Sequence, residues 1–563
     1  MLGSMKAQDD FVKAHAALLA GGYDCLDRIV LNGYFLPGQN GGGMRQWWER
    51  LRGDARLTLK KNSFLRMGWH FARNTRRWGK AAGVPVLDVP FGERKHEIAE
   101  ELLAERLRKE PEFCGVFCVL VARAPAKLWK VSHHPNGQPH LEVMKPWPMV
   151  YHLHFHVLDV QWGHVCFKIS VHPPFGLQVL VNGHDWVMRQ ARRRQVSYQA
   201  RGNAFVGGDF AALDRLAARL LDGAELERQL QALCERWVYR ACLIHTMSLE
   251  EQQRSGFAYH WSFYQLEYSR NLLFQNPATL ESCYQGLLDR TRRTFDLEKL
   301  KTLLGWKRRP AALGRGTVVP EKGVNRPGHD VTVWRVKCGQ LGFKLYDKTM
   351  TLLRVEVTAH KVAALRCGRG LDKAGRIVER LGSYLGSFLG SLQAAHLRTL
   401  DDGAFDRLPN PSVRGARRIA GVDLNKERMR KVCEAASALA MDPRGFRLAE
   451  LAGRMTAQAR ERDSGGSIAY TKKQASYDLK KLRAKELVER IEHTHRYRVR
   501  DHGLRVVSGA LCLRRCVLRP VLAGLAQPGT PPPPESGATR LDHWQLLVQG
   551  ALHGLLDELG LAA

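Results

Sequence analysis

The chain has 563 residues, 44% of them hydrophobic and 25% charged, a composition typical of a folded multidomain protein rather than a disordered one. Lysine and arginine number 87 against 55 acidic residues, and the formal net charge of +32 favours a polyanionic partner. No Cys-x-x-Cys pair, membrane-length apolar run or signal-peptide core is present, which argues against zinc-ribbon, membrane and secreted proteins. We therefore expect a cytoplasmic protein without a membrane partner.

The N-terminal part alternates predicted strands and helices, an order typical of an α/β layer with a mixed, partly parallel sheet. Predicted strands lie at residues 28–35, 84–89 and 116–122, and predicted helices at 62–82 and 93–108. Residues 66–80 combine Trp69 and Trp78 with five lysine and arginine side chains, which suits stacking on unpaired bases. A buried aromatic stripe with a solvated basic face explains the same residues.

Three β-rich runs follow, at residues 150–160, 163–171 and 177–181. Because side chains alternate along a strand, His152, His154 and His156 share one face. Imidazoles converging with a carboxylate suit a divalent metal, Mg or Mn in a nuclease. The candidate ligands are His154, His156, Asp159, His164, His172 and His184. The alternative is a structural or solvated histidine face.

A sharper hypothesis concerns strand cleavage. His154-Phe155-His156 is similar to the His-hydrophobic-His motif of rolling-circle replication initiators and relaxases, which implies a metal that polarises a phosphate and a tyrosine that attacks it. Tyr264 and Tyr268 are the candidate nucleophiles, predicted one helical turn apart. The segments around 344–347 and 354–356 resemble the replication proteins of filamentous phages.

A second catalytic hypothesis uses carboxylates. Glu93, His96 and Glu97 lie three or four residues apart on one predicted helical face, after a strand. With Asp27 they are candidates to hold magnesium in a nuclease. The alternative is an acidic helix N-terminus that needs only the helix dipole.

The rest of the chain is predicted to be helical at residues 209–304, basic and loop-like at 307–326, and a three-stranded meander at 331–338, 342–346 and 352–358. We expect six segments: 1–208 as an α/β domain with histidine-rich strands, 209–306 as a helical region, 307–407 as a β-meander plus helices, 426–526 as a winged-helix nucleic-acid-binding domain, 527–540 as a Pro-rich linker and 541–563 as a tail helix.

The winged helix is predicted from three helices, at residues 427–440, 449–459 and 472–485, followed by short strands at 487–491 and 496–500. The third helix has an apolar stripe and an otherwise cationic surface, which suits the major groove of duplex DNA. Candidate nucleic-acid contacts are Lys472, Lys473, Gln474, Tyr477, Lys480, Lys481, Arg483, Arg496 and Arg498. The arrangement resembles MarR-like winged helices of prokaryotic regulators. The alternative is a winged helix used only for protein contacts.

Most of the chain resembles a group of uncharacterised prokaryotic proteins associated with mobile elements, through residues 27–35, 92–97, 163–164, 172–175, 182–184, 268–274 and 474–483. The resemblance implies a prokaryotic setting and supplies no reaction. Two hypotheses follow. The first is a nucleic-acid-binding protein of a mobile element or plasmid, including a metal-dependent nuclease or nicking enzyme. The alternative is a non-catalytic DNA-binding regulator or the protein component of a ribonucleoprotein. DNA is favoured over RNA, and a homodimer through the C-terminal helices is compatible with both.

Overall fold

The computed structural model describes residues 10–53, 59–135, 139–294, 321–322, 332–338, 340–396, 406–414, 417–460 and 470–514, with a few positions between 518 and 551. The predicted linker at 527–540 lies outside these residues, as does the predicted basic loop except for Glu321–Lys322. Of the predicted tail helix, the described positions all fall between 543 and 551 and are helical. Within the described ranges, no helix is long and apolar enough to cross a membrane.

The architecture is α/β and centres on one mixed sheet, as the sequence predicts. The strands, β1 to β20 in chain order, are Leu19–Phe35, Val86–Asp88, Gly115–Pro125, Trp129–His133, Pro139–Val143, Met149–Asp159, Gly163–Ser170, Leu177–Asn182, Tyr198–Ala200, Phe205–Gly208, Tyr259–Phe274, Glu321–Lys322, Thr332–Cys338, Leu341–Asp347, Leu352–Ala359, Ser412–Arg414, Arg417–Ile419, Phe446–Arg447, Val488–Arg490 and Arg496–Val499. Eleven of them form the main sheet, in the order β12-β13-β14-β15-β11-β1-β8-β7-β6-β3-β2. Its neighbouring strands pair antiparallel except β2 with β3.

The described α-helices surround this sheet and build the C-terminal region. They are Asp10–Ala14, Gly41–Arg52, Ser63–Ala82, Lys95–Lys109, Gly183–Arg193, Phe210–Leu221, Gly223–Trp237, Leu249–Ser255, Pro277–Thr294, Ala374–His396, Glu427–Leu439, Leu448–Arg460, Lys472–Ala484 and Asp501–Leu513.

One face of the sheet is apolar and holds the main core. Phe343 on β14 stacks on Phe388 of the helix Ala374–His396, with ring centroids 4.9 Å apart. Phe155 on β6 stacks on His245, with centroids 5.9 Å apart. Further fully buried residues of this face are Ile29, Leu31, Val165, Phe167, Ile169, Val179, Leu266, Val355 and Val357. Burial of this surface is the dominant stabilising term for the sheet.

Two expectations about the middle of the chain are wrong. Residues 209–304 are not helical throughout, because Tyr259–Phe274 forms β11, a 16-residue strand at the centre of the sheet. The one sheet also joins segments that the sequence assigned to three separate domains, since β1 pairs with β11 and β11 pairs with β15. Partners from distant parts of the chain supply the buried surface that makes the strand favourable there.

The C-terminal region, residues 417–514, has a hydrophobic cluster of its own. Val432, Leu451, Leu482 and Leu504 come from its four helices and are buried together. A three-stranded sheet of order β18-β20-β19 lies beside them. The helices Glu427–Leu439, Leu448–Arg460 and Lys472–Ala484 begin and end within one residue of the predicted bounds. The last helix, Asp501–Leu513, packs against Ala374–His396 under the main sheet.

Candidate functional site

The second face of the main sheet is polar, and we call it the polar face. Directly opposed residues of antiparallel strands project to the same side of a sheet. The registers therefore place on this side the following residues: Asn32 and Cys25 of β1, His152, His154 and His156 of β6, Cys166 and Lys168 of β7, Gln178 of β8, Glu267, Ser269 and Asn271 of β11, Lys344 and Tyr346 of β14, and Arg354 and Glu356 of β15. Charged residues in the middle strands of a sheet cost free energy unless they are paired, so their arrangement carries chemical information.

At one end of the polar face, Asp27 and His184 meet. A register shift between Leu26 and Ile29 marks a bulge in β1, and bulges re-aim side chains. Gly183 begins the helix that carries His184, and a Cβ there would lie 1.9 Å from the Leu26 carbonyl oxygen, so only glycine permits this approach. As a result, His184 Nδ1 lies 2.7 Å from Asp27 Oδ1.

Arg354 binds this pair and its surroundings. Its guanidinium donates to Asn271 Oδ1 and to the Asn203 carbonyl, both at 2.6 Å, and lies 3.3 Å from His184 Nε2 and 3.7 Å from Asp27 Oδ2. Burial opposes the ionisation of Asp27, but His184 and Arg354 more than offset it and lower the pKa of Asp27 to about 2. Asp27 is therefore a charged, compensated group inside the protein.

At the other end of the same cluster, a lysine joins two carboxylates. Lys344 Nζ lies 2.9 Å from Glu267 Oε1 and 2.8 Å from Glu356 Oε2, and Tyr346 donates a 2.5 Å hydrogen bond to Glu356. The side chain of Lys344 is 31% exposed, whereas that of Glu356 is only 5% exposed, so this end opens toward solvent. Burial and the neighbouring Glu356 raise the pKa of Glu267 to about 7, which makes it a suitable general acid or base near neutral pH.

The raised pKa of Glu267 has a consequence for stability. The folded protein binds a proton there that the unfolded chain releases, so the free energy of unfolding falls as the pH rises from 4.5 to about 7. We expect Glu267→Gln to flatten this pH dependence of the free energy of unfolding, as urea denaturation at a series of pH values would measure. Glu142→Gln is the control, since Glu142 is an exposed partner of Lys130. An unchanged slope in Glu267→Gln would contradict the assignment.

The predicted metal ligands fall into separate places. His156 Nδ1 and His164 Nε2 lie 2.9 Å apart, and His154 shares their face. His184 is part of the Asp27 pair, and His172 contacts the Phe64 carbonyl oxygen at 3.4 Å. Burial lowers the pKa values of His152, His154, His156 and His164 to between about 2 and about 4, so these imidazoles are neutral. The shared face is confirmed, but the six residues do not form one ligand set.

Asp159 has a different environment from the histidines. Its carboxylate accepts hydrogen bonds from the backbone of Gln161 and Trp162 and from the side chains of Arg236 and Trp237. Four donors use the lone pairs that a metal would need. The carboxylate thereby connects the end of β6 to the helix Gly223–Trp237 through hydrogen bonds.

Among the described residues, one group has the spacing of metal ligands, namely Cys25, Asp27 and His184. All three are buried. However, Arg354 already places its positive charge against Asp27, and His184 Nδ1 already faces that carboxylate. A divalent cation would have to displace both, so the donor set as arranged does not fit magnesium or manganese.

The catalytic candidates from the sequence are likewise dispersed. Tyr264 and Tyr268 lie on a strand, where four residues span about 13 Å rather than one helical turn. Tyr268 is buried and donates a hydrogen bond to Asp24 at 2.9 Å. Its strand is also four positions from β6 and its histidines, roughly 19 Å away. The predicted helical tyrosine pair is therefore wrong.

Glu93 and Glu97 are exposed at the start of the helix Lys95–Lys109, where Glu97 pairs with Arg94 at 2.7 Å. That helix packs on β3, four strand positions from Asp27 on β1, or about 19 Å. The structure thus does not bring these carboxylates together with Asp27.

The nine predicted nucleic-acid contacts divide by environment. Lys472, Lys473, Tyr477 and Lys480 are exposed on the helix Lys472–Ala484, and none of these lysines has a carboxylate partner in the described part of the chain. Gln474 caps the same helix through a reciprocal pair of hydrogen bonds with Thr471. Its capping geometry explains why the helix begins where the sequence predicts.

The other cations of this set already have partners. Lys481 is nearly buried and lies 3.2 Å from Asp478, which also binds Arg428 and Tyr470. Arg496 donates to the Gly445 carbonyl, and Arg498 pairs with Glu489 at 2.7 Å. Arg483 lies over the ring of Tyr497. These residues hold the region together, which reduces the cationic surface to the three lysines of the helix.

Sequence reasoning missed Glu267, Ser269, Asn271 and Lys168. A signal exists in the alternation of polar side chains along β11 and β15, Glu267-x-Ser269-x-Asn271 and Arg354-x-Glu356-x-Thr358. Such alternation normally indicates a solvated strand face. Only the pairing of the two strands reveals that the polar residues compensate one another.

Comparison with protein families, with curated proteins and with solved structures finds no match for this chain. The geometry of the polar face and of the C-terminal region is therefore the basis for the function of this chain.

Proposed function

We propose that this protein binds nucleic acid through a winged helix formed by residues 426–505, as a DNA-binding protein of a mobile element or plasmid. The observation that carries the proposal is the helix Lys472–Ala484, on which Lys472, Lys473 and Lys480 are exposed without carboxylate partners among the described residues. Cations left free on one helix suit a phosphate backbone, because binding releases condensed counterions.

The surroundings of this helix support the same use. The β19–β20 hairpin follows it directly and pairs with β18, which gives the helix–strand–strand order of a winged helix. Asp478, buried between Arg428 and Lys481, fixes the helix to Glu427–Leu439 from its inner side. The inner side is thereby anchored, and the outer side presents Tyr477 and the three lysines.

A second cationic surface favours contact with unpaired bases as well. On the helix Ser63–Ala82, Trp69 is 72% exposed between Arg66 and Arg73, which are also exposed. An exposed indole beside guanidinium groups suits base stacking and phosphate contact together. Two cationic binding surfaces account better for the large positive charge of the whole chain than a single winged-helix regulator module does.

The test is a binding titration of the full-length protein with labelled duplex DNA, single-stranded DNA and RNA by fluorescence anisotropy. Three phosphate contacts predict an affinity that falls about 40-fold between about 50 and about 200 mM salt. Absence of binding to all three polymers at low salt, or binding that added salt does not weaken, would refute the proposal. Sequencing of co-purifying nucleic acid distinguishes the ribonucleoprotein alternative, which predicts one discrete RNA.

A phosphodiester-cleaving enzyme is the second candidate function, favoured by the Glu267–Lys344–Glu356 group at the open end of the polar face. Glu267 combines partial exposure with a pKa of about 7, which suits proton transfer. Incubation of the protein with each polymer, with and without divalent cations, tests it. Cleavage that Glu267→Gln abolishes supports the enzyme, and absence of cleavage under all conditions leaves the binding function.

A further inference from the structure

A row of polar residues crosses four neighbouring strands of the polar face, away from the Asp27 cluster. Lys168 on β7 is directly opposite His154 on β6 and Gln178 on β8, and Gln178 is opposite Asn32 on β1. All four side chains are partly exposed. Gln178 donates a hydrogen bond to Asn32 Oδ1 at 3.2 Å, which leaves amide N–H groups of both residues as free donors.

The charge at the centre of this row has no compensation within the described part of the chain. Lys168 pairs with no described carboxylate, and the like charge of a second lysine, Lys95, acts on it. Burial lowers the pKa of Lys168, and repulsion from Lys95 adds to this effect while Cys166 opposes it. His154 beside it is neutral and adds no negative charge.

Lys168 differs in this respect from Lys344 and Arg354, the other cations named on the polar face. Lys344 lies between two carboxylates, and Arg354 contacts Asp27 and Glu356. A half-buried ammonium without a counter-charge costs free energy unless an anion comes to it. Its neighbours are imidazole and amide N–H donors, and phosphate oxygens accept hydrogen bonds from such groups.

We propose that Lys168, Lys95, His154 and Gln178 form a phosphate-binding site on the polar face, in which Asn32 holds the amide of Gln178. Lys168 and Lys95 supply the positive charge, and the amide and imidazole groups orient the phosphate oxygens. The ligand is a phosphate group, carried either by a free nucleotide or by a nucleic acid. The site does not depend on the winged helix, because it lies on the main sheet.

The experiment is a ³¹P NMR titration of the full-length protein with inorganic phosphate at constant ionic strength. We expect saturable binding to the wild type and at least about tenfold weaker binding to Lys168→Met, whose side chain keeps the length of the lysine stem without its charge. Lys130→Met is the matched control, since Lys130 is exposed and paired with Glu142, and its affinity should be unchanged. Equal phosphate affinity in Lys168→Met and wild type, or no saturable binding to the wild type, would overturn the assignment.

Stability provides a readout that a merely structural lysine would not give. In phosphate-free buffer we expect Lys168→Met to unfold at a urea concentration no lower than the wild type, because an uncompensated charge has been removed. Phosphate should raise the wild-type midpoint and leave that of Lys168→Met unmoved. A lower midpoint of Lys168→Met without phosphate would mean that the ammonium has a partner inside the protein, which contradicts the site.

The source of the phosphate is resolved by repeating the titration with a nucleoside monophosphate and with a short single-stranded oligonucleotide. These titrations use a background in which Lys472, Lys473 and Lys480 are changed to glutamate, so that the proposed winged helix does not contribute. Tighter Lys168-dependent binding of the oligonucleotide assigns the site to nucleic acid, and equal binding assigns it to a free nucleotide. Failure of duplex binding in the unmodified protein bears only on the proposed winged helix.

Discussion

Changing Lys472, Lys473 and Lys480 to glutamate together is expected to reduce the affinity for duplex DNA by on the order of 10²–10³-fold at about 100 mM salt. The three ammonium groups are exposed and free of carboxylates in the described part of the chain, so each is available to one phosphate. Reversal removes three attractions and adds three repulsions. The slope of log affinity against log salt should also decrease by about 3, as fluorescence anisotropy over a salt series would measure.

The control has the same change in net charge at another place. Lys60, Lys61 and Arg193 are exposed and lie outside residues 426–505. Their joint replacement by glutamate should leave the salt slope nearly unchanged. All six positions are on the surface, so both variants should keep the wild-type free energy of unfolding to within about 0.5 kcal/mol per site. Equal losses in the two variants would mean that net charge alone, rather than this helix, governs binding.

Local patterns were sufficient for many elements of the fold. The period of two along β6 predicted that His152, His154 and His156 share a face, and the registers confirm it. The bounds of the three C-terminal helices follow from apolar spacing and from the Thr471 cap. Periodicity and capping depend on neighbours within a few residues, which is why the sequence alone carries them.

Contacts between distant segments were not accessible in the same way. Asp27 meets His184 and Arg354 only because β1 lies between β8 and β11, and β11 pairs with β15. The spacing of Tyr264 and Tyr268 fits a helix as well as a strand, and the tertiary environment decided for the strand. Likewise, the sequence of the third C-terminal helix does not reveal that Lys481 forms an ion pair with Asp478. It also does not reveal that Lys480 has no carboxylate partner among the described residues.

The polar face joins residues that the separate sequence motifs did not connect. Asp27, His154, His156, His164 and His184 entered three different hypotheses, yet all of them belong to one side of one sheet or its border. Their chemistry differs along the sheet, because Arg354 compensates one end and Lys168 remains uncompensated at the other. A compensated end suits structural stability, and an uncompensated end suits an anionic ligand.

Replacement of Arg354 by methionine is expected to destabilise the protein by about 3–5 kcal/mol, because it leaves the buried Asp27 without its guanidinium neighbour and leaves Glu356 with Lys344 alone. Urea denaturation near neutral pH measures this loss. The ionised form of Asp27 stabilises the fold above the pKa of its unfolded state, and this contribution disappears as the pH falls toward about 2. Without Arg354 the pKa of Asp27 should rise, so the acid-induced loss of stability should begin at a higher pH.

A double-mutant cycle separates the pair from general damage to the core. Asp27→Asn removes the charge that Arg354 compensates, so the double variant should be less destabilised than the sum of the single variants, by about 1–3 kcal/mol. Arg76→Met is the matched control, because Arg76 forms an exposed ion pair with Asp88 at 2.8 Å and should cost no more than about 1 kcal/mol. If Arg354→Met costs no more than Arg76→Met, or if the two effects at Asp27 and Arg354 are additive, the buried charges do not depend on each other. The Asp27 carboxylate would then be stabilised by contacts that do not involve Arg354, namely the hydrogen bond from Ser269 and the 2.7 Å contact with His184.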